Sequence, residues 1–246
     1  MILRRNSHDR YSTVAREWVG ETVVLIGGGP SLTVEQVSVV HEAHKAGLVR
    51  CIAVNDAYLW APWADILYAA DASWHNDHAK GVAKFALKLS AAEVAKRFSE
   101  FAGQKCSIQS QVGNIYDDKT HVLLNANKDS NGHGIHGFGL SFDPSCIVTG
   151  SNSGAQALNI ASLSGAKRIL LLGFDGQVSK EGRTHWHGGH VAPTPEAAYA
   201  LYRKSFSMAE NDLKKAGVEV INCSIGSAID TFPKMDIKEA LGLVTV

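Results

Sequence analysis

The sequence predicts an α/β fold of the Rossmann-like type: a mostly parallel sheet flanked by helices, with an inserted lid-like segment. Apolar strand-like runs at 23–26 and 50–54 enclose a helical segment, a spacing typical of a right-handed βαβ unit. The run RILLL at 168–172 is continuously apolar, as expected of a central parallel strand buried on both faces. The 246 residues are enough for one domain, 1–246, with a substantial core.

The first helix has recognisable boundary signals. Thr33 and Gln36 have the spacing of a capping box, so we expect the helix to start at this point. Gly47 predicts its end. A third strand is predicted at 65–70, directly before Asp71.

The middle of the chain, residues 76–146, has a weaker pattern. A helix is predicted at 91–102, with strands at 106–109 and 121–124. The glycine-rich stretch 129–139 predicts a loop. We interpret this part of the chain as an insertion or lid beside the sheet.

Regular periodicity returns in the last third of the chain. A helix of small residues is predicted at 153–164, and a long amphipathic helix at 195–216. Gly217 ends the long helix, and 218–221 predicts the last strand.

The composition argues against several classes of protein. A formal net charge of zero is a poor electrostatic match to duplex nucleic acid. No apolar run approaches the roughly 20 residues that span a bilayer, and the first residues lack the apolar core of a signal peptide. The four cysteines form no CxxC pair, which is typical of reduced thiols. We therefore expect a cytoplasmic protein.

The first glycine-rich motif, GGGPSL, follows the first predicted strand. Its backbone N–H groups and the following helix dipole favour an anion, so we expect Gly28, Gly29 and Ser31 to hold one phosphate. Leu32 replaces the third glycine of the dinucleotide fingerprint, and Thr33 starts the helix late. These differences favour a mononucleotide donor over NAD. The alternative is a tight turn without a ligand.

A second motif, TGSNSG at 149–154, also precedes a helix. It is rich in hydroxyl groups and free of bulky side chains, which favours a second anion site or a site for sugar hydroxyls. The candidate residues are Ser151, Asn152, Ser153 and Gly154. The alternative is that Ser151 or Ser153 only caps the helix.

Polar side chains also follow several predicted strands. They are Asn55 and Asp56, Asp71 and Ser73, and Asp175, each within a few residues of the end of a predicted strand. Ligands of parallel α/β sheets bind outside the carboxyl ends of the strands, so we expect these side chains to converge. Asp56 has the position of a ribose-binding acid. The alternative is that each residue caps a turn.

A histidine-rich loop, THWHGGH at 184–190, follows the strand that ends near Asp175. His185, His187 and His190 are candidates for a general base, because histidine titrates near neutral pH. Their spacing matches no zinc signature, so we prefer a base to a metal site and predict no metal ligands. A solvated loop without a chemical role is the alternative.

These motifs, in this order, resemble a known family. IGGGPSL, TGSNSGAQALNIASLSGAKRILLLGFD and the histidine loop are similar to the bacterial CMP-sialic-acid-dependent sialyltransferases. They also resemble the related hydroxymethylpterin diphosphokinase-like proteins, which include prophage-encoded members. The resemblance covers 22–75 and 147–233.

The sialyltransferase resemblance implies a CMP-sugar donor, no required metal, and a histidine base that acts on the acceptor hydroxyl. His187 or His190 would be that base, with His185 third. The tyrosine pair that holds the leaving phosphate in such enzymes is not identifiable in this sequence. Donor contacts would come from Gly28, Gly29, Ser31, Asn55, Ser153 and Gly154. The kinase-like relatives instead imply pyrophosphoryl transfer from ATP with Mg²⁺, held by Asp71 and Asp175.

Three hypotheses about function follow. The first is a nucleotide-dependent transferase, most similar to a glycosyltransferase, acting on an acceptor that the sequence does not identify. The second is the ATP- and Mg²⁺-dependent pyrophosphokinase. The third is a non-catalytic phage or prophage protein, in the host cytoplasm, that binds a nucleotide or serves in assembly. The oligomeric state, including a homo-oligomer, is left open.

Overall fold

The computed structural model describes residues 1–5, 9–82, 89–109, 115, 117–127, 137–187 and 194–243. Its strands are β1 Leu3–Arg4, β2 Thr13–Val14, β3 Thr22–Ile26, β4 Arg50–Val54, β5 Ile66–Tyr68, β6 Gln104–Ile108, β7 His121–Asn125, β8 Cys146–Ile147, β9 Arg168–Leu172 and β10 Glu219–Asn222. Its helices are α1 Val34–Lys45, α2 Ala72–Lys80, α3 Ala91–Ser99, α4 Ser153–Leu163, α5 Glu196–Ala216 and α6 Ile237–Ala240, with a 3-10 helix at Asn55–Leu59.

The main sheet confirms the Rossmann-like prediction. Eight strands lie in the order β10-β9-β3-β4-β5-β6-β7-β8, and each of these neighbouring pairs is parallel. From β3 the chain moves outward to β8, and α4 then returns it to β9 on the other side of β3. The direction of winding therefore reverses between β3 and β9, which is where ligands bind in open α/β sheets.

Two apolar layers cover the sheet, one on each face. Along β3, Val23 and Leu25 belong to the layer that contains α4 and α5, whereas Val24 and Ile26 belong to the layer that contains α1. All four side chains are fully buried. This arrangement explains why the central strands are continuously apolar and do not alternate with polar residues.

The start of α1 has the predicted capping box. Thr33 Oγ1 accepts a hydrogen bond from the Gln36 backbone N–H at 3.2 Å, and Gln36 Oε1 accepts one from the Thr33 N–H at 3.0 Å. The helix therefore begins after the glycine-rich motif, and residues 27–32 form a turn at the carboxyl end of β3 in which the Leu32 N–H donates to the Gly29 carbonyl at 3.1 Å.

The interpretation of residues 76–146 as an insertion beside the sheet needs a correction. The described part of this span contributes β6 and β7 to the sheet itself, and β8 starts at its end. The predicted helix and both predicted strands are present as α3, β6 and β7. Most of the predicted glycine-rich loop at 129–139 lies outside the described residues. None of the helices in the described residues combines the length and apolar character needed to cross a bilayer.

Candidate functional site

A cleft of about 700 Å³ lies at the carboxyl ends of the parallel strands. It spans the reversal point between β3 and β9 and continues along the ends of β4 to β7. Of the residues that the sequence predicted for the site, it is lined by Gly28, Gly29, Asn55, Asp56, Asp71, Ser151, Asn152, Ser153, Gly154, Asp175 and His185. The topology thus brings together segments that are far apart in the chain.

The glycine turn packs against the end of β9. The Gly29 N–H donates to the Gly173 carbonyl at 2.8 Å, and a Cβ on Gly27 or Gly29 would lie 2.7 Å from that same oxygen. A Cβ on Gly28 would meet only His185, at 3.5 Å. Two of the three glycines are therefore explained by the close approach of two backbones, while Gly28 faces the cleft.

Asp175 places its carboxylate on the glycine turn. Its Oδ2 accepts hydrogen bonds from the Ser31 hydroxyl at 2.9 Å and the Ser31 backbone N–H at 3.3 Å. Burial raises the pKa of Asp175, although its contacts with Ser31 oppose that effect. Ser31 is thus turned towards a carboxylate of the protein, and it is not among the described residues that line the cleft.

The 149–154 segment includes the first two residues of α4, Ser153 and Gly154, and the helix cap is Asn152. Its Oδ1 accepts a hydrogen bond from the Ala155 N–H at 2.8 Å, so neither Ser151 nor Ser153 is the cap. Gln156, buried in α4, supports the turn by donating to the Thr149 carbonyl at 2.6 Å. The amino-terminal end of an 11-residue helix therefore borders the cleft, where its dipole favours an anion.

Backbone strain is concentrated at the cleft. Among the described residues, only Asn55 (φ 53°) and Ser151 (φ 58°) are non-glycine residues with left-handed backbone. Both line the cleft, one at the end of β4 and one before α4. Such conformations cost about 1–3 kcal/mol each and cluster at functional sites.

Asp56 lies in the cleft wall at the end of β4 and is largely buried, with 5% of its surface exposed. Its carboxylate accepts a hydrogen bond from Trp74 Nε1 at 3.0 Å and lies 3.3 Å from His78 Nε2 and 3.4 Å from His187 Nε2. Burial raises the pKa of Asp56, but the two histidine contacts outweigh it and hold the pKa of this carboxyl below its usual range. We call Asp56, Trp74, His78 and His187 the Asp56 cluster.

Two of the three histidines of the loop lie among the described residues, and their surroundings differ. His185 lines the cleft, and its Nδ1 lies 3.1 Å from Thr184 Oγ1. The His187 side chain is 3% exposed and faces Asp56. His190 lies outside the described residues.

Two tyrosines that sequence reasoning missed also line the cleft. Tyr199 and Tyr202 lie in the first two turns of α5, with ring centroids 6.0 Å apart. Only 6% of Tyr199 is exposed, and its hydroxyl makes no well-aligned hydrogen bond among the described residues. Burial raises the pKa of both phenols, so both remain proton donors at neutral pH. In the sequence, the spacing of these two tyrosines is that of the buried face of an amphipathic helix, which does not distinguish a ligand contact from core packing.

Amide side chains extend the polar lining towards β6 and β7. Gln109 directly follows β6, Asn125 is the last residue of β7, and both line the cleft. Asp71, at the start of α2, is exposed and makes no side-chain cap of that helix. In the described part of the chain no three His, Cys, Asp or Glu side chains are grouped to hold a metal ion.

Comparison with known proteins identifies the fold but not a family. No protein-family model matches the chain, and no curated protein matches its sequence. Among solved structures, the chain resembles the MAf glycosyltransferase from Magnetospirillum magneticum AMB-1, with a TM-score of 0.56 and 16% identity. The match covers 94% of this chain but 36% of that protein, so the chain spans about a third of its length. At this identity the likeness is one of fold.

Proposed function

We propose that the protein is a glycosyltransferase-like enzyme that transfers a sugar from a nucleotide donor to an acceptor hydroxyl. The observation that carries the proposal is the meeting of three segments in one cleft: the glycine turn, the amino-terminal end of α4 and the histidine loop. Support also comes from the glycosyltransferase that shares the fold, and from the sequence resemblance to sialyltransferases.

The leaving nucleotide phosphate binds at the start of α4 in this proposal. Backbone N–H groups at Ser153 and Gly154 and the helix dipole stabilise the negative charge that develops as the donor bond breaks. Tyr199 and Tyr202 supply neutral phenol donors from α5 on the same cleft. The Ser31 hydroxyl and backbone N–H already donate to the Asp175 carboxylate, so the phosphate is better accommodated at α4 than on the glycine turn.

His185 is our candidate for the general base, because it is the described histidine that lines the cleft. Its imidazole takes the proton of the acceptor hydroxyl while the acceptor oxygen bonds to the anomeric carbon. The bond from that carbon to the donor phosphate oxygen breaks, and its electron pair leaves with the nucleotide. His190 stays a predicted alternative, and His187 is better suited to a supporting role.

Nucleotide binding is tested first, by thermal shift with CMP, CDP, UDP, ATP and GTP. A ligand at 100 times its Kd stabilises the folded state by about 2.7 kcal/mol. Tyr199→Phe removes one phenol donor to a charged group, worth about 1.5–3 kcal/mol, and should weaken the Kd roughly 10- to 100-fold. Tyr11→Phe is the matched control, since Tyr11 does not line the cleft.

Transfer is tested next with His185→Ala. Loss of a general base should lower turnover by about 10²- to 10⁴-fold while the nucleotide Kd stays within about three-fold. Consumption of ATP and a pterin, abolished by a chelator, would instead favour the pyrophosphokinase. Absence of a shift with every nucleotide would contradict both enzymes and leave the non-catalytic phage or prophage protein.

A further inference from the structure

Each carboxylate oxygen of Asp56 has a side-chain nitrogen of the protein beside it. Oδ1 accepts from Trp74 Nε1 at 3.0 Å and lies 3.3 Å from His78 Nε2, while Oδ2 faces His187 Nε2 at 3.4 Å. A ribose-binding acid needs at least one oxygen available to the sugar hydroxyls. With Oδ1 hydrogen-bonded to Trp74, Oδ2 facing His187 and 5% of the residue exposed, Asp56 is poorly placed for that role.

The three nitrogens around Asp56 come from two different elements. Trp74 and His78 belong to α2, and their rings stack with centroids 3.9 Å apart. His78 is fixed further by Tyr58, whose hydroxyl lies 2.9 Å from His78 Nδ1. His187 comes from the histidine loop, more than 100 residues later. One buried carboxylate therefore connects the end of β4 and α2 to this loop.

The same loop contacts the glycine turn. The Trp186 N–H donates to the Gly28 carbonyl at 3.1 Å, and the Trp186 ring packs on Trp60 with centroids 3.9 Å apart. The His187 ring is stacked against His185, with centroids 5.4 Å apart and planes 26° apart. A displacement of His187 would therefore reach His185 directly.

We propose that Asp56 is the positioning residue of the described part of the histidine loop, 184–187, holding His187 so that His187 and Trp186 fix His185 at the wall of the cleft. The catalytic consequence rests on the proposed function, but the docking of the loop does not. A buried charge without polar partners destabilises the folded state, so the ionised Asp56 carboxylate favours the conformation in which His187 and the other ring nitrogens lie beside it. Asp56 thus acts through His187 and does not touch the substrate.

Asp56→Asn tests the proposal with little change of shape. One carboxylate oxygen becomes an NH₂ group and the negative charge is lost, so either the Trp74 N–H faces a donor or His187 Nε2 loses the carboxylate oxygen opposite it. Asp65→Asn is the matched control: Asp65 also pairs with a histidine, His44 Nε2 at 3.0 Å, but it does not line the cleft. Far-UV circular dichroism and urea unfolding establish that both variants fold.

The readout is the exciton couplet of the Trp60–Trp186 pair, whose rings are tilted by 37° to each other, measured without nucleotide. Trp186→Phe in the wild-type background identifies the part of the signal that belongs to this pair. We expect Asp56→Asn to lose more than half of it and Asp65→Asn to keep it. Should Asp56→Asn fail to fold, His187→Phe, which keeps a ring without its nitrogens, is expected to cause the same loss.

Isothermal titration with CMP separates the two roles of Asp56. A positioning residue leaves the CMP Kd within about three-fold of wild type while the couplet falls. An unchanged couplet in Asp56→Asn overturns the proposal. If the couplet is unchanged and the CMP Kd is also 10-fold weaker, the ribose-binding role of Asp56 is restored. If CMP does not bind the wild-type protein, the proposed donor is wrong, and the couplet alone still decides whether Asp56 holds the loop.

Discussion

The two glycines at 28 and 29 provide a matched pair for testing the geometry of the cleft. Neither residue has left-handed backbone, so alanine is compatible with the local conformation at both positions. A Cβ on Gly29 would overlap the Asp175 carboxylate and lie 2.7 Å from the Gly173 carbonyl oxygen. A Cβ on Gly28 would have a single ordinary contact, 3.5 Å from His185.

The expected changes in the free energy of unfolding therefore have opposite signs for Gly29→Ala and Gly28→Ala. Asp175 can rotate away from a new methyl group, but the Gly173 oxygen is backbone and accepts the Gly29 N–H. Gly29→Ala must separate the ends of β3 and β9, and such overpacking costs about 1–3 kcal/mol. Gly28→Ala instead restricts only the unfolded chain and should stabilise the protein by about 0.4–1 kcal/mol.

Urea unfolding and thermal melting measure this difference. For a protein of this length, 1–3 kcal/mol corresponds to a fall in Tm of about 2–12 °C for Gly29→Ala. Asp175→Ala combined with Gly29→Ala should recover only part of the loss, because the backbone clash with Gly173 remains. Equal stability of the two single variants would refute the close approach of the two strand ends.

Two further predictions concern buried polar groups. Gln156→Leu should destabilise the protein by about 1–3 kcal/mol, because the buried Tyr68 hydroxyl loses the Gln156 oxygen to which it donates at 2.8 Å. Adding Tyr68→Phe removes that unpaired hydroxyl and should recover part of the lost stability in urea unfolding. Burial lowers the pKa of His75 to about 4, so between that pH and about 6.5 the unfolded chain binds a proton that the folded chain rejects. Stability should therefore fall by about 3 kcal/mol as the pH drops through this window, and His75→Gln, which does not titrate, should flatten the profile.

The central strands were predictable because burial on both faces leaves a continuous apolar run, as in β3 and β9. The strands β6 and β7 carry polar residues whose partners lie elsewhere. Lys105 in β6 is buried beside Asp117 at 2.6 Å, and Gln104 exchanges two hydrogen bonds with the backbone of Leu3. Such pairings satisfy buried polar groups through partners that are distant in sequence. The polar residues of β6 and β7 therefore made residues 76–146 look like an insertion and not like part of the sheet.

The position of the site was predictable for a different reason. Residues that follow parallel strands converge at one edge whatever their identity, so Asn55, Asp71 and Asp175 reach the cleft through topology alone. Which side chains pair within that edge depends on the packing of particular rotamers. The Ser31–Asp175 bond joins residues 144 positions apart, and no local pattern indicates it.

The tyrosines of α5 show how topology changes the interpretation of a pattern. Tyr199, Phe206 and Leu213 are buried at helical spacing, which by itself indicates core packing along the whole helix. However, α5 connects β9 to the parallel β10, so it starts at the carboxyl edge of the sheet and runs back towards the amino edge. The same stripe therefore begins at the cleft, with Tyr199, and ends in the core, with Leu213. Buried polar residues in the first turns of a helix that follows a strand at the reversal point are thus candidates for ligand contact, even where their spacing is that of a core.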